Sequence, residues 1–273
     1  MKESELLSFG TDLDRPSAAR IYDYLLGGFH NFEVDRRVAR EFMQYLPDAP
    51  LYIRANRAFL RRVVRFLALD KNIEQFVDLG SGLPTVGNVP EVAQKANPSS
   101  RIVCVDIDPV AVRHSQEMLE NNPNATAIQA DLRNLEDIFR HPEVQRLLDL
   151  EKKPTAVLLL SSLLFVTDDE EAYALVSKLL GSLAAGSFIA ISHPTQQESL
   201  PNKQVRHAEQ FYEEIDLPVK LRSRAQVERF FMEVELVEPG VVYAPLWHPE
   251  SGADLFIDQP ERSTYYVGVG RKA

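Results

Sequence analysis

The chain contains almost no cysteine, and this scarcity excludes one class of fold. Its 273 residues include a single cysteine, Cys104, so a framework of disulfides within the chain is excluded. Cys104 lies in the middle of an apolar run, where we expect a small buried residue rather than a nucleophile. One isolated thiol suits a reducing compartment, and we expect the protein to be cytoplasmic.

Long apolar runs and an excess of basic charge are also missing. No window of the sequence approaches the run of about 18 uncharged apolar residues that indicates a membrane span. Residues 1–5, MKESE, lack the apolar stretch of a signal peptide. The net charge of −10 argues against broad binding to nucleic acids or to an anionic membrane. The apolar content of 45% is enough for a sizeable core.

Glycine is sparse, with 12 residues in the chain, and Gly80 and Gly82 stand one residue apart after a short apolar run. The sequence QFVDLGSG at 75–82 predicts a buried strand that ends at Asp78 and enters a tight loop through Gly80, Ser81 and Gly82. A dinucleotide fingerprint requires a third glycine at position 85, where Thr85 stands. The pattern instead resembles the first motif of methyltransferases that use S-adenosylmethionine (SAM). An ordinary turn after a strand is the alternative.

Two further predicted strands also end at aspartates. The sequence RIVCVD ends at Asp106, and TAIQADL contains Asp131. Asp106 can accept hydrogen bonds from ribose hydroxyls, and it is expected to be free because Asp108 supplies the cap of the next helix. Asp131 can accept a hydrogen bond from an adenine amine, next to the backbone of Leu132. Helix caps are the alternative roles of both acids.

Three predicted helices, at about 16–27, 31–46 and 50–69, come before the first strand. We interpret residues 1–70 as an N-terminal helical cap that acts as a lid or collar and forms one compact unit with residues 71–273. Strands and helices then alternate, with later strands predicted at 156–160, 188–192, 235–237 and 264–269. This order predicts a doubly wound α/β sheet of seven strands, with an antiparallel hairpin at its edge.

Long strings of the sequence resemble an actinobacterial family of SAM-dependent methyltransferase-like proteins, formerly a domain of unknown function. They are RPSAARIYDYLLGG (15–28), RANRAFL (54–60), DLGSGLPT (78–85), LVEPG (236–240) and VGVGRK (267–272). The resemblance implies a seven-stranded, Rossmann-like methyltransferase domain over 71–273, with SAM at the glycine loop. It identifies no methyl acceptor. Relatives often carry histidine at the positions of Pro90 and Leu164.

The predicted cofactor contacts combine the strand ends with the turn after the first helix. They are Tyr22, Gly27, Asp78, Gly80, Ser81, Gly82, Asp106, Ile107, Asp131, Leu132 and Ser161. No metal site is expected. Candidates for the wall around the acceptor are Tyr22, His30, Asn31, Asn56, Arg57, Ser162 and His193, of which His193, Tyr22 and His30 are the candidates for catalysis. Buried or structural roles are the alternative for each of them.

The leading hypothesis for the function is transfer of a methyl group from SAM to a small-molecule acceptor. A SAM-binding sensor or accessory protein without turnover is the second hypothesis, and a nicotinamide enzyme is the third. A nucleic-acid methyltransferase is the fourth, because Arg54, Arg57, Arg61 and Arg65 recur along one helix; a solvated, ion-paired face is favoured for these arginines. The sequence leaves the oligomeric state open, with a homodimer as one alternative.

Overall fold

A mostly parallel sheet of eight strands forms the centre of the protein. The computed structural model describes residues 14–195, 209–250 and 254–273. Five strands run parallel: β1 (Gln75–Leu79), β2 (Arg101–Asp106), β3 (Ala125–Gln129), β4 (Thr155–Leu160) and β5 (Phe188–Pro194). Three more complete the sheet: β6 (Glu235–Leu236), β7 (Val242–Tyr243) and β8 (Tyr265–Arg271). The order is β3-β2-β1-β4-β5-β8-β6, with β7 also paired to β8.

The predicted count of seven strands is wrong at one edge of the sheet. β8 is antiparallel to β6, as the predicted hairpin requires, but the same side of β8 also pairs with a second short strand, β7. The other side of β8 pairs with β5, again antiparallel. Pro239 lies between these two strands and cannot donate to a strand ladder because it has no N–H group. Gly240 follows with a left-handed φ of 84°. The chain therefore turns away from the sheet after β6 and returns to it as β7, which raises the number of strands to eight.

Nine helices are delimited within the described residues. They are α1 (Ala18–Leu26), α2 (Glu33–Tyr45), α3 (Ala49–Leu69), α4 (Val89–Ala96), α5 (Pro109–Leu119), α6 (Leu135–Arg140), α7 (Pro142–Leu147), α8 (Asp169–Gly181) and α9 (Arg224–Arg229). Residues 209–214 are also helical; the sequence predicts a helix at about 202–215, of which residues 202–208 lie outside the described residues. In the described parts of the chain, no helix combines the length and apolarity needed to cross a membrane.

In the sequence, Asn88 and Glu91 stand three residues apart and predict a capping box at the start of α4, which forms with one change of partner. The side chain of Asn88 accepts a hydrogen bond from the Glu91 backbone N–H at 3.0 Å. The Glu91 carboxylate reaches back to the N–H of Gly87, at 2.7 Å, and not to that of Asn88. The helix therefore begins where the sequence predicts, at the end of the long loop that follows the glycines.

Apolar side chains bury both faces of the sheet. One face is covered by α6 to α9, against residues such as Val77, Val103 and Val157. The other face, which includes Phe76 and the buried Cys104, is covered by α3, α4, α5 and Trp247. Alternate residues of each strand thus point into opposite cores, as expected for a sheet covered on both sides.

Helix α3 differs from the predicted lid because half of it belongs to the sheet core. Its later residues, such as Phe59, Val63 and Leu67, pack on the sheet. Its first turns instead join α1 and α2 in a separate cluster with Ile21, Val38 and Phe211. The N-terminal helices are therefore anchored to the sheet by α3, while the division at residues 70 and 71 stays a prediction.

A buried polar cluster, which we call the cap network, links α1 and α2 to the sheet. It consists of Ser17, Arg20, Asp35 and Asp108, and the carboxylate of Asp35 is fully buried. Asp35 accepts hydrogen bonds from the N–H groups of Ser17 and Phe32, at 2.9 and 2.8 Å. Arg20 Nε lies 3.0 Å from Asp35, and the Ser17 hydroxyl donates to Asp108 at the start of α5.

We expect Asp35→Ala to destabilise the protein strongly, because it leaves buried Arg20 and two backbone N–H groups without their partner. The loss in the free energy of unfolding should be about 3–5 kcal/mol, measured by urea denaturation. The matched control is Glu33→Ala, which removes an exposed carboxylate from the same helix and should change stability little. Equal effects of the two substitutions would contradict the role of the cap network.

Candidate functional site

The loop after β1 is shaped by two left-handed glycines. Gly80 has φ of 84°, and a Cβ added there would lie 2.6 Å from Cβ of Ser162. The N–H groups of Gly80 and Ser81 both bind the carbonyl of Val105, at 2.8 and 3.0 Å. Gly82 has φ of 64°, and nothing lies within 4 Å of an added Cβ. The first glycine therefore permits close packing, while the second faces open space.

Asp106 ends β2 and is tied to the glycine loop. Its carboxylate accepts hydrogen bonds from the N–H groups of Gly82, at 2.7 Å, and Asp108, at 2.9 Å. Asp108 in turn caps α5 by accepting from the Val110 N–H at 2.7 Å, as predicted. Ile107, between the two acids, is 62% exposed. Asp106 is therefore less free than the sequence predicts, although each carboxylate oxygen can accept a further hydrogen bond.

Asp131 lies two residues beyond the end of β3 and already has a partner. Arg133 Nε lies 2.9 and 3.0 Å from its two carboxylate oxygens. This guanidinium holds the pKa of Asp131 below its usual value. A ligand that binds Asp131 must therefore share it with Arg133 or displace Arg133.

The end of β4 completes this edge of the sheet. Ser161 has a left-handed φ of 60°, which is uncommon outside glycine. Its backbone N–H binds the carbonyl of Ser192, at 2.9 Å, on β5. Its hydroxyl lies 3.1 Å from the hydroxyl of Tyr265 on β8. Ser161 therefore connects three strands where they meet the helical cap.

These strand ends surround a cavity of about 750 Å³ between the sheet and the N-terminal helices. Ten of the eleven predicted cofactor residues line it, namely Tyr22, Asp78, Gly80, Ser81, Gly82, Asp106, Ile107, Asp131, Leu132 and Ser161. Gly27 does not line it; this glycine ends α1 in a left-handed conformation. Leu164 contributes to the wall, whereas Pro90 does not.

Burial changes the acid–base properties of the two central carboxylates. It raises the pKa of Asp78 to about 7, against the opposing field of Arg57. Burial also raises the pKa of Asp106 to about 6, against the hydrogen bonds that the carboxylate accepts from the backbone. A cationic ligand in the cavity would favour the charged form of both groups.

Several polar atoms on the cavity wall are buried without a hydrogen-bond partner. They include Asp23 Oδ1, Asn56 Oδ1, Arg57 Nη2, Thr85 Oγ1, Ser162 Oγ and Thr195 Oγ1. Buried polar groups are normally paired, so these atoms indicate a polar ligand. Sequence reasoning missed Thr85 and Thr195 as site residues. For Thr195, the sequence offers only its position just beyond the fifth strand.

Histidines predicted near the acceptor lie elsewhere. His30 is exposed, and its ring centroid lies 4.2 Å from that of His114. The amide of Asn31 donates to Asp23 at 2.8 Å. Neither His30 nor Asn31 lines the cavity.

His193 is fully buried behind the cavity wall and holds a buried arginine. Its Nε2 accepts from Arg222 Nη1 at 2.9 Å, and its Nδ1 donates to the carbonyl of Pro194 at 2.8 Å. Since an arginine cannot serve as an acceptor, this pairing requires the neutral imidazole. Burial lowers the pKa of His193 to about 3. These contacts give His193 a positioning role behind the wall, and its ring does not line the cavity.

Arg222, the partner of His193, holds a segment of the cavity wall in place. Its guanidinium also donates to the carbonyls of Leu163, at 3.0 Å, and Val166, at 2.7 Å. These two residues flank Leu164 and Phe165 on the cavity wall. No local sequence pattern indicates this contact, because His193 and Arg222 are 29 residues apart.

Comparison with known proteins identifies the family. A family model described as S-adenosyl methyltransferase matches residues 5–273. The chain belongs to the S-adenosyl methyltransferase family. This confirms the resemblance found in the sequence and makes SAM the cofactor, in preference to the nicotinamide alternative. A search of curated proteins found no significant match.

Solved structures agree with the family. A candidate methyltransferase from Thermobifida fusca YX is 38% identical, with a TM-score of 0.89 over 96% of this chain and 97% of that chain. A DUF574 family protein from Streptomyces avermitilis MA-4680 is 34% identical, with a TM-score of 0.90 over 96% and 100%. An O-methyltransferase family protein from Burkholderia thailandensis, 12% identical with a TM-score of 0.54 over 99% and 68%, shares the fold.

The residues of the cavity fit SAM chemically. Open space at Gly82 allows a ligand to approach the backbone. Carboxylates at Asp78, Asp106 and Asp131 offer acceptors for the hydroxyl and amine groups of a nucleoside, and the unpaired atoms of Asn56 and Arg57 add an acceptor and a cation. Which of these groups contacts which part of SAM stays a prediction.

We expect the stability difference between the wild type and His193→Gln to depend on pH. In the unfolded chain the pKa of His193 is about 6.5, and below that pH the unfolded chain binds a proton that the buried imidazole of the folded protein does not bind. Wild-type stability is therefore lost as the pH falls toward 3. Between pH 7 and 5 this term should cost the wild type roughly 2 kcal/mol. Glutamine can accept from Arg222 but does not titrate.

Urea denaturation of both proteins at pH 7 and pH 5 measures this difference. The comparison cancels the opposite contributions of Asp78 and Asp106, whose raised pKa values favour the folded state as the pH falls. A stability difference that is the same at both pH values would show that His193 is not held neutral by burial.

Proposed function

We propose that this methyltransferase acts on a small-molecule acceptor with a mainly apolar body, held in the cavity beside the cofactor. The observation that carries the proposal is the composition of the cavity wall away from the strand ends. There, α2, α3 and the segment 217–221 contribute apolar side chains, including Phe42, Leu46, Ile53, Leu217, Val219 and Leu221. A cavity of about 750 Å³ is in the range that takes small ligands.

The arginines of α3 argue against a nucleic-acid acceptor. Arg57 is buried on the cavity wall, and Arg65 pairs with Glu250 at 3.2 Å. The neighbouring Arg62 is also buried and donates to the carbonyls of Trp247 and Ala244. The basic stripe that a nucleic-acid methyltransferase would require is therefore divided among the interior, an ion pair and solvent, on a chain of net charge −10.

The contribution of the protein to the reaction is mainly placement. SAM supplies a methyl group already activated by its sulfonium. Within the described residues, the cavity wall contains no histidine, so the wall offers no imidazole base. Side chains that hold the two reactants in line and exclude water can lower the barrier by roughly 7–11 kcal/mol. The lack of an imidazole also favours the second candidate, a SAM-binding protein without turnover.

Binding and transfer are tested in sequence. Calorimetry should show that the protein binds SAM and its demethylated product, S-adenosylhomocysteine (SAH). Incubation with radiolabelled SAM and a panel of phenols, aromatic acids and amines should then label at least one small acceptor over many turnovers. Absence of heat with both ligands would refute the assignment of the site. Binding without transfer to any acceptor would favour the sensor, and label confined to RNA, DNA or protein would refute the small-molecule acceptor.

We expect Leu46→Trp to separate acceptor binding from cofactor binding. The larger ring fills part of the space along the apolar wall. The rate of methyl transfer to the acceptor identified by the radiolabel assay should therefore fall at least about tenfold, which corresponds to about 1.4 kcal/mol. The affinity for SAH should stay within about threefold, which is under 1 kcal/mol. Leu69→Trp, at the exposed end of α3 away from the cavity, is the control. An equal loss of SAH binding would place Leu46 at the cofactor instead.

A further inference from the structure

Two adjacent residues of α3 present unpaired polar atoms to the cavity. Asn56 is 3% exposed and Arg57 is 8% exposed, and both line the cavity. The Asn56 amide donates to the hydroxyl of Tyr22 at 3.1 Å, which leaves its Oδ1 without a donor. Arg57 Nη2 has no acceptor, and within the described residues Arg57 forms no ion pair. One helix turn thus offers a free acceptor beside a free cation.

Arg57 differs in this respect from the other arginines of the cavity wall. Arg20 is paired with Asp35, and Arg133 is paired with Asp131. Arg15 donates to the carbonyl of Asp216. A buried guanidinium that has no acceptor is costly to the folded protein, so its place on the wall indicates an anionic ligand group.

Asp78 places a negative group in the same region of the cavity. It lines the cavity from the end of β1, and the charge of Arg57 opposes the effect of burial on its pKa. Arg57 and Asp78 are not within ion-pair distance, since no pair between them is found. The two side chains therefore do not neutralise each other by direct contact, and each can receive an opposite charge.

We propose that Asn56, Arg57 and Asp78 form the subsite for the zwitterionic amino-acid end of the cofactor. Arg57 binds the carboxylate, while Asn56 Oδ1 and Asp78 receive the ammonium group. This inference rests on the proposed use of SAM, and it assigns to the cofactor two residues that sequence reasoning placed at the acceptor. An amino-acid end carries one carboxylate and one ammonium group, which matches one free cation beside two acceptors.

Calorimetry with two ligands tests this subsite directly. SAH carries the amino-acid end, whereas 5′-methylthioadenosine has the same nucleoside and a thioether without it. We expect Arg57→Gln to weaken SAH binding by at least about tenfold, because a charge-assisted hydrogen bond to a carboxylate is lost. Binding of 5′-methylthioadenosine should change less than about threefold. Arg54→Gln, on an exposed position of the same helix, should leave both affinities unchanged.

The outcomes separate this inference from the proposed function. Wild-type protein that binds neither ligand would refute both. If Arg57→Gln binds SAH as tightly as the wild type does, the subsite alone is refuted, and Arg57 would then be available to bind an anionic group of the acceptor. Equal weakening of both ligands would also refute it, because the nucleoside site would then be damaged. Arg57→Lys retains a positive charge and is the second variant in case Arg57→Gln folds poorly. It should keep part of the SAH affinity that the glutamine variant loses.

Discussion

The joint between the ends of β1 and β2 determines where the rest of the site can lie. Asp106 accepts hydrogen bonds from Gly82 on one side and from Asp108 on the other. Asp108 then begins α5 and accepts from Ser17 in the cap network. One buried carboxylate therefore fixes the glycine loop and positions the residue to which the N-terminal helices attach. A buried charge with several hydrogen bonds can hold such a geometry because leaving any partner unpaired is costly.

The N-terminal helices and the sheet supply complementary charges to one cavity. Arg57 comes from α3, while Asp78 comes from the end of β1. The same helix packs on the sheet through Phe59 and Val63, within two turns of Arg57. Because the packing and polar residues share one rigid helix, the position of Arg57 relative to the strand ends is set by the apolar core. The acceptor side of the cavity is bounded by apolar side chains instead, so the two ends of the cavity suit different ligand chemistry.

Local patterns predicted the strand ends well, whereas contacts between distant segments were beyond them. Apolar runs that stop at an acid placed Asp78 and Asp106 correctly near the ends of β1 and β2, and the glycine pair indicated the turn that follows β1. The burial of Arg57 could not be predicted, because its spacing from Arg54 and Arg61 is that of a solvated helix face. The interruption at Pro239 was readable from the missing N–H group, but the return of the chain as β7 depends on pairing with β8, more than 20 residues later.

The position of β8 affects the order in which the protein can fold. This strand follows every other strand along the chain, yet it lies inside the sheet, between β5 and β6. During synthesis β1 to β5 can pair early, but β5 keeps an unprotected edge until residues 265–271 have left the ribosome. An apolar edge exposed for that time invites pairing with other chains. The slow, long-range closure of this half of the sheet is therefore the stage of folding at which the chain is most open to aggregation.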